Sequence, residues 1–440
     1  MRRERRMTLD RRRFLALSAA AGLAAGASAT TVGYAQDTTR TNAKIVIIGA
    51  GAAGTALSNR LVDRLEGAQI TIVDPRKDHW YQPGFSLIAA GLKPAGYAVS
   101  RTSDWLPRGV KLVSEAVVAV DPETKRVTTD AGTQLDYDVL VLAPGLVLDN
   151  DAIEGFSLDV VGRNGVGALY AGPQYAAKTW EAAARFSETG GVGLFTRPAT
   201  EMKCAGAPLK HTFLIDDIAE RAGTTKRKIV YASPSDNLFS VLIVSEKVRM
   251  LFQHRGVEPA YRHVLKAIDV EKKVATFTTP DGDLQRDYDY IHVIQPQRAP
   301  SFVPESGLAW PDRWIGQGWA EVDPHTLRHR RYADIFAVGD VAGVPKGKTA
   351  ASVKWQVPVV EDHLVAHLAG REGTARYDGY TSCPLITRVG RAMLVEFDYQ
   401  NNLVPSFPGI IAPLEELWVS WLMKEVALKA TYNAMLRGRA

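Results

Sequence analysis

A glycine-rich turn set between a buried strand and a helix restricts this chain more than any other feature. Lys44-Ile45-Val46-Ile47-Ile48 is an apolar run of strand length, and Gly49-Ala50-Gly51-Ala52-Ala53-Gly54 follows at once. Thr55 to Leu61 then reads as a helix, and Gln69 to Val73 as a second strand that ends at Asp74. Each part has a chemical reason. Gly49 and Gly51 permit a tight turn and close approach of the backbone to a pyrophosphate, and Gly54 lets the helix pack on the strand. Ala52 and Ala53 leave the N–H groups of the helix N-terminus uncovered, where orphan donors and the helix dipole favour a phosphate. Asp74 stands at the distance in sequence from which an acid reaches a ribose hydroxyl. Strand, turn, helix, strand and acid in this order predict an α/β protein with a parallel, Rossmann-like sheet.

The chain has 440 residues, more than one such unit requires, and at roughly 150 residues per domain two or three are expected. The net charge of +5 is not spread over them. Residues 1–35 hold seven arginines and two acids, and the rest holds 46 basic and 46 acidic side chains. A neutral body argues against a nucleic-acid partner. Arg11-Arg12-Arg13-Phe14-Leu15 precedes an Ala-rich apolar run over residues 16–29, and Gly33-Tyr34-Ala35 offers a small-residue cleavage site. Basic region, apolar core and small residues are the anatomy of an export signal, and the paired arginines resemble the twin-arginine type. The apolar run is too short for a confident membrane span. The expectation is a periplasmic protein, peripheral on the inner membrane, with residues 1–35 outside the fold.

Two further stretches extend the first. Tyr332 to Asp340 reads as a short strand ending in Gly339-Asp340, and Tyr137-Asp138-Val139-Leu140-Val141-Leu142-Ala143-Pro144-Gly145 as a strand and turn. They resemble the second flavin motif and the exit strand of flavoproteins with two dinucleotide-type domains. The resemblance implies FAD, with Asp340 at its ribityl–phosphate region. A second Rossmann-like unit is expected at residues 151–300, with strands at Gly191–Phe195, Lys228–Tyr231 and Tyr288–Ile294 and a helix over about Leu209–Arg221. Its first turn lacks GxGxxG: Thr196 to Pro208 contains Cys204 instead, which argues against a nicotinamide donor. The expected plan is an FAD domain in two parts, 43–150 and 301–370, around that unit, followed by a C-terminal region, 371–440.

Cys204 and Cys383 are the only cysteines. Lys203 and a following helix N-terminus would lower the Cys204 thiol pKa. Spacing alone leaves a structural disulfide, two unrelated thiols and a redox pair all open. A flavin bonded to cysteine would consume one of the two, so FAD is expected to be held without a covalent link. No metal is expected. Lys203-Cys204-Ala205-Gly206-Ala207-Pro208-Leu209-Lys210 resembles the first-cysteine motif of sulfide:quinone oxidoreductases, in the subgroup that includes the mitochondrial enzymes. Tyr380-Thr381-Ser382-Cys383-Pro384 and Glu396-Phe397-Asp398-Tyr399 resemble the second-cysteine segment. His79-Trp80-Tyr81-Gln82-Pro83, Pro345 to Ala351 and Asn433 to Gly438 also match the family pattern, which then covers residues 43–438. The resemblance implies a redox disulfide between Cys204 and Cys383, cofactor contacts at Gln82, Val117 and Lys348, sulfide as donor and a membrane quinone as acceptor. Glu201 and His211 lie near Cys204 in sequence and are candidate proton carriers.

Leu414 to Leu436 is rich in large apolar residues but broken by Glu415, Glu416, Lys424, Glu425 and Lys429. It is too interrupted to span a bilayer. Two short amphipathic helices in the membrane interface are expected, with Trp418, Trp421 and Leu422 meeting lipid. Such helices would be dispensable for reaction with sulfide. Homo-oligomers remain open. The alternatives are a flavin subunit of a sulfide dehydrogenase delivering electrons to a cytochrome c, and a flavin-binding interaction protein without turnover.

Overall fold

Ile45, Val46, Ile47 and Ile48 are all buried, because their strand runs through the middle of a parallel sheet covered on both faces. The computed structural model describes residues 38–439, so the export-signal reading of residues 1–35 lies outside the described residues. In the first sheet the strand order is Ile335–Ala337, Val139–Leu142, Lys44–Ile48, Gln69–Val73, Lys111–Val113, every pair parallel. The chain builds four of these strands, leaves, and returns nearly two hundred residues later for the edge strand that ends at Val338-Gly339-Asp340. Truncating a fully buried Ile45 or Ile47 to Ala would cost about 2–5 kcal/mol.

Helix Ala52–Arg64 packs against helix Ala350–Leu368. Arg60 and Arg64 on the first helix both pair with the buried Glu361 on the second, Arg64 at 2.9 Å. Removing Glu361 would take the carboxylate partner from two partly exposed guanidinium groups, at a cost of about 1–3 kcal/mol.

The second parallel sheet has the order Val166–Gly167, Tyr290–His292, Gly191–Thr196, Arg227–Ser233, Glu258–Tyr261. Helix Ala207–Arg221 follows the Gly191–Thr196 strand after a ten-residue connection that carries Cys204. An antiparallel hairpin, Thr381–Arg388 with Arg391–Phe397, packs on that helix and brings Cys383 to its start. The C-terminal segment is one helical run: an α-helix at Trp418–Leu422, a π turn at Met423–Ala427, and an α-helix at Leu428–Leu436. Among the described residues no helix is long and apolar enough to cross a membrane.

Two expectations for this segment need correction. Trp421 is buried against Leu87, Leu214, Ile386 and Ala392, so it meets the protein's own core rather than lipid. Lys424, which reads as a charge interrupting an apolar face, is buried as well. Trp418 is half-exposed and Leu422 partly buried.

Candidate functional site

The turns after the first-sheet strands border a cavity of about 190 Å³. Ala50, Gly51, Ala52 and Ala53 form one side, Val338-Gly339-Asp340 another, and Gln82, Cys204 and Lys348 complete it. Gly51 caps the helix Ala52–Arg64 without any side-chain hydrogen bond, so its first N–H groups are left for a ligand. A Cβ on Gly51 would meet nothing nearer than Arg76 Nη2 at 3.8 Å; it would stand in the cavity itself, in the space a phosphate would use. Gly54 has the opposite reason. A Cβ there would come closer than 3.0 Å to the Gly49 carbonyl oxygen, and one on Gly49 equally close to Ala143 O. Gly49 therefore lets two strand-end turns touch, and Gly54 lets the helix approach the strand. Five cationic side chains (Arg76, Lys203, Lys210, Lys348, Lys424) and two carboxylates (Asp78, Asp340) line the cavity. That excess suits a diphosphate, and the residues present fit an FAD.

The acid of the fingerprint is used differently from its expectation. Asp74 does not line the cavity. Its Oδ2 accepts from Ala50 N at 2.7 Å and from Arg76 Nη2 at 2.7 Å, and its Oδ1 from Arg76 N and Nε. Burial pushes its carboxyl up, but the Arg76 hydrogen bonds and charge outweigh burial and hold it below the usual range. Arg76, two residues on, is the group that faces the cavity. Val117 also falls elsewhere: it begins a strand of a separate three-stranded sheet and does not line the cavity.

Lys348 donates to the carbonyls of Asp340 at 2.6 Å and Ala342 at 3.1 Å, and its Nζ lies 3.7 Å from the Trp319 ring centroid. Burial pushes it down to about 8. It therefore fastens the loop after Gly339-Asp340, and its own carbonyl accepts from Cys204 N at 2.9 Å. Asp340 is pushed up by burial, opposed by Lys203 and Lys348.

Cys204 and Cys383, 179 positions apart, are brought together in one packed cluster as free cysteines. Cys204 lines the cavity; Cys383 lies behind it, among Leu385, Phe239 and Val395. The Cys204 backbone is left-handed, φ 45°, a strained conformation for a residue with a side chain. It is held there by the Lys348 carbonyl and by Tyr170, whose hydroxyl donates to the carbonyls of Lys203 at 2.9 Å and Cys204 at 2.8 Å. The hydrogen bond from Cys383 holds the Cys204 thiol well below its ordinary pKa, despite burial, with help from the Lys210 and Lys424 ammonium groups. Lys210 Nζ stands 3.4 Å from Cys204 Sγ. The same bond and burial push Cys383 well up. Burial pushes Lys424 down to about 7.

His211 and Glu201 are not with the thiols. His211 is fully buried, hydrogen-bonded through Nε2 to Tyr290 Oη at 2.6 Å and pushed down to about 3 by burial; Glu201 is exposed. Neither lines the cavity. Lys424 and Tyr432 do, and the helical pattern gave no sign of it.

Two parallel nucleotide-type sheets, a glycine-rich fingerprint, a Gly-Asp turn and a dithiol on one cavity define a flavin disulfide oxidoreductase class. Residues 43–169 match the family model described as pyridine nucleotide-disulphide oxidoreductase. The mitochondrial sulfide:quinone oxidoreductase of Dictyostelium discoideum is 34% identical over 398 residues, 90% of this chain and 86% of that protein. The mitochondrial enzyme of Mus musculus is 32% identical over 410 residues, 91% of this chain and 88% of its own. The solved sulfide:quinone oxidoreductase of Aquifex aeolicus shares the fold, with a TM-score of 0.75 at 18% identity over 90% of this chain and 92% of that one. The chain belongs to the sulfide:quinone oxidoreductase family. It is an FAD-dependent oxidoreductase.

These relatives overturn the periplasmic expectation. Both are mitochondrial proteins, which points to a mitochondrial location, and no twin-arginine signal is shown. An Arg-rich, acid-poor N-terminus is also the composition of a mitochondrial targeting segment, so the paired arginines do not discriminate.

The FAD is expected to be held without a covalent link, so acid precipitation is expected to release all the yellow colour into the supernatant. Colour kept in the pellet would show a covalent flavin.

Proposed function

We propose that this chain oxidises sulfide through the Cys204–Cys383 pair and passes two electrons to a membrane quinone. The carrying observation is the packing of the two cysteines together at the wall of the cofactor cavity, with Lys210 beside the sulfur that faces it. In the oxidised pair, HS⁻ attacks one sulfur of the disulfide. The S–S bond breaks, one cysteine becomes a persulfide and the other leaves as a thiolate. We assign the persulfide to Cys383, behind the wall, and the thiolate to Cys204, which faces the cavity and is stabilised by Lys210. A second thiophile, such as another sulfide, takes the outer sulfur of the persulfide and leaves a cysteine thiolate. When bound, FAD supplies the two-electron chemistry that returns the dithiol to the disulfide and delivers the electrons to quinone. Lys424, titrating near neutrality, is placed to exchange a proton in this cavity. The cationic lining also attracts HS⁻.

Phe407, Ile410, Trp418 and Val426 in the C-terminal segment carry exposed apolar surface. We assign this face to a lipid surface from which a quinone tail enters.

The test is an anaerobic titration. Sulfide is expected to bleach the flavin band, a soluble quinone to restore it, and NADH or NADPH to leave it unchanged, because Thr196 to Pro208 has no pyrophosphate turn. A flavin untouched by sulfide, or bleached as fast by NADH, would overturn the reading. Restoration by cytochrome c but not by quinone would favour the sulfide dehydrogenase alternative.

A further inference from the structure

The C-terminal helical run does more than face outward. Lys424, Leu428 and Tyr432 line the cofactor cavity, and their spacing of four puts them on one helical face. Tyr432, Met435 and Leu436 are buried in the same core as the fingerprint strand, whereas Val426 is exposed. The Tyr432 hydroxyl lies 2.7 Å from His79 Nε2, and His79 Nδ1 lies 3.3 Å from the carbonyl oxygen of Ala50. Burial pushes His79 down to about 4, so its ring is neutral at working pH. With Nδ1–H donating to Ala50, Nε2 accepts from Tyr432. Ala50 opens the phosphate-binding turn and donates its own N–H to Asp74. A continuous hydrogen-bonded line thus joins the end of the chain to the fingerprint, 353 positions apart at His79 and Tyr432. Other groups pin the helix on either side: Lys424 Nζ donates to Pro83 O at 2.7 Å, and the Tyr81 and Tyr432 rings meet edge-on at 4.9 Å.

A helix serving only as a lipid anchor needs none of this. We propose that the C-terminal helix is a cofactor-binding element: Leu428 and Tyr432 close the FAD cavity, and the Tyr432–His79 hydrogen bond latches the helix to the fingerprint turn. The proposal rests on FAD as the cofactor but not on sulfide or quinone. Its consequence is that the run cannot be removed without opening the cavity, contrary to the expectation that it is dispensable at the sulfide face.

The experiment measures FAD binding to the folded apoprotein by quenching of flavin fluorescence, with no electron donor or acceptor present. Tyr432→Phe keeps the ring and removes the latch; the FAD dissociation constant is expected to rise roughly three- to tenfold, as for one lost net hydrogen bond. Leu428→Ala removes apolar wall surface and is expected to raise it by roughly threefold or more. Val426→Ala, exposed on the same run and outside the cavity, is the control, expected to bind as the unaltered protein does. Dissociation constants within twofold of the unaltered protein for both Tyr432→Phe and Leu428→Ala would overturn the proposal. So would an equal rise for Val426→Ala, which would mark a general loosening of the helix. Because the readout needs no turnover, failure of the sulfide reading would leave these values unchanged.

Discussion

Cys204→Ser and Cys383→Ser are each expected to abolish sulfide-driven flavin reduction while FAD stays bound and the fold persists. On the proposed route sulfide enters by attack on a disulfide sulfur, which needs a second sulfur to leave as thiolate. Either substitution removes the disulfide, so the double variant should be no worse than the singles. The surroundings tolerate the change: Cys204 Sγ is met by Lys210, which a hydroxyl also satisfies, and Cys383 sits among Leu385, Phe239 and Val395, where a serine costs little volume. A merely structural disulfide predicts the reverse pattern. Its loss would cost on the order of 2–5 kcal/mol of stability, and the surviving folded fraction would keep its rate. The deciding measurement is the rate of flavin bleaching by sulfide per FAD-loaded molecule, well below the melting temperature. A variant that retains more than about a tenth of the normal rate, a barrier change under about 1.4 kcal/mol, would sink the cysteine route.

What the sequence discloses about this site follows from the range over which the chemistry acts. The fingerprint turn is legible because a pyrophosphate needs bare backbone at fixed short spacing: Gly49 and Gly54 answer to two separate steric demands visible in the structure, and Gly51 leaves the cavity open beside the helix start. The missing second fingerprint is legible for the same reason. Asp74 stands in the expected turn, and a partner that the spacing does not disclose, the Arg76 guanidinium two residues on, bonds both of its carboxylate oxygens. That pairing could have been suspected from the Asp-Pro-Arg order. The C-terminal run was misread for a deeper reason. A helix pattern states that one face is apolar; it does not state whether lipid or protein covers it. Trp421 fills a core with Leu214 and Ile386, 207 and 35 positions earlier in sequence, and no local pattern encodes either distance. The one available signal was Lys424, a cation inside an apolar stretch, which usually needs a buried partner or a function. Its hydrogen-bond partner, the Pro83 carbonyl, comes from a distant segment.

Gly206→Ala is expected to slow sulfide-driven flavin reduction at least about tenfold, a barrier of about 1.4 kcal/mol, with little change in melting temperature or FAD content. The glycine is not required by the backbone: its φ is −87° and its ψ is −6°, which any residue adopts. Space is the reason. A Cβ at 206 would come closer than 3.0 Å to Cys383 Sγ, while Leu385 Cδ1 and Phe239 Cε2, at 3.5 and 3.6 Å, are at ordinary contact. The conflict is with the sulfur alone, and the sulfur has an escape by rotation about Cα–Cβ. The fold therefore survives, and the loss falls on the meeting of the two thiols, whose bonding tolerates little displacement. Stability should shift by no more than about 1 kcal/mol, since alanine restricts the unfolded chain more than glycine does. A second readout separates this from general damage. The Cys383 hydrogen bond is the largest influence holding the Cys204 thiol pKa down, so moving that sulfur away should carry the alkylation profile of Cys204 to higher pH. Lys210 on its own keeps part of the effect. A Gly206→Ala protein with the normal bleaching rate and an unshifted alkylation profile would show that the two sulfurs meet without the room this glycine leaves.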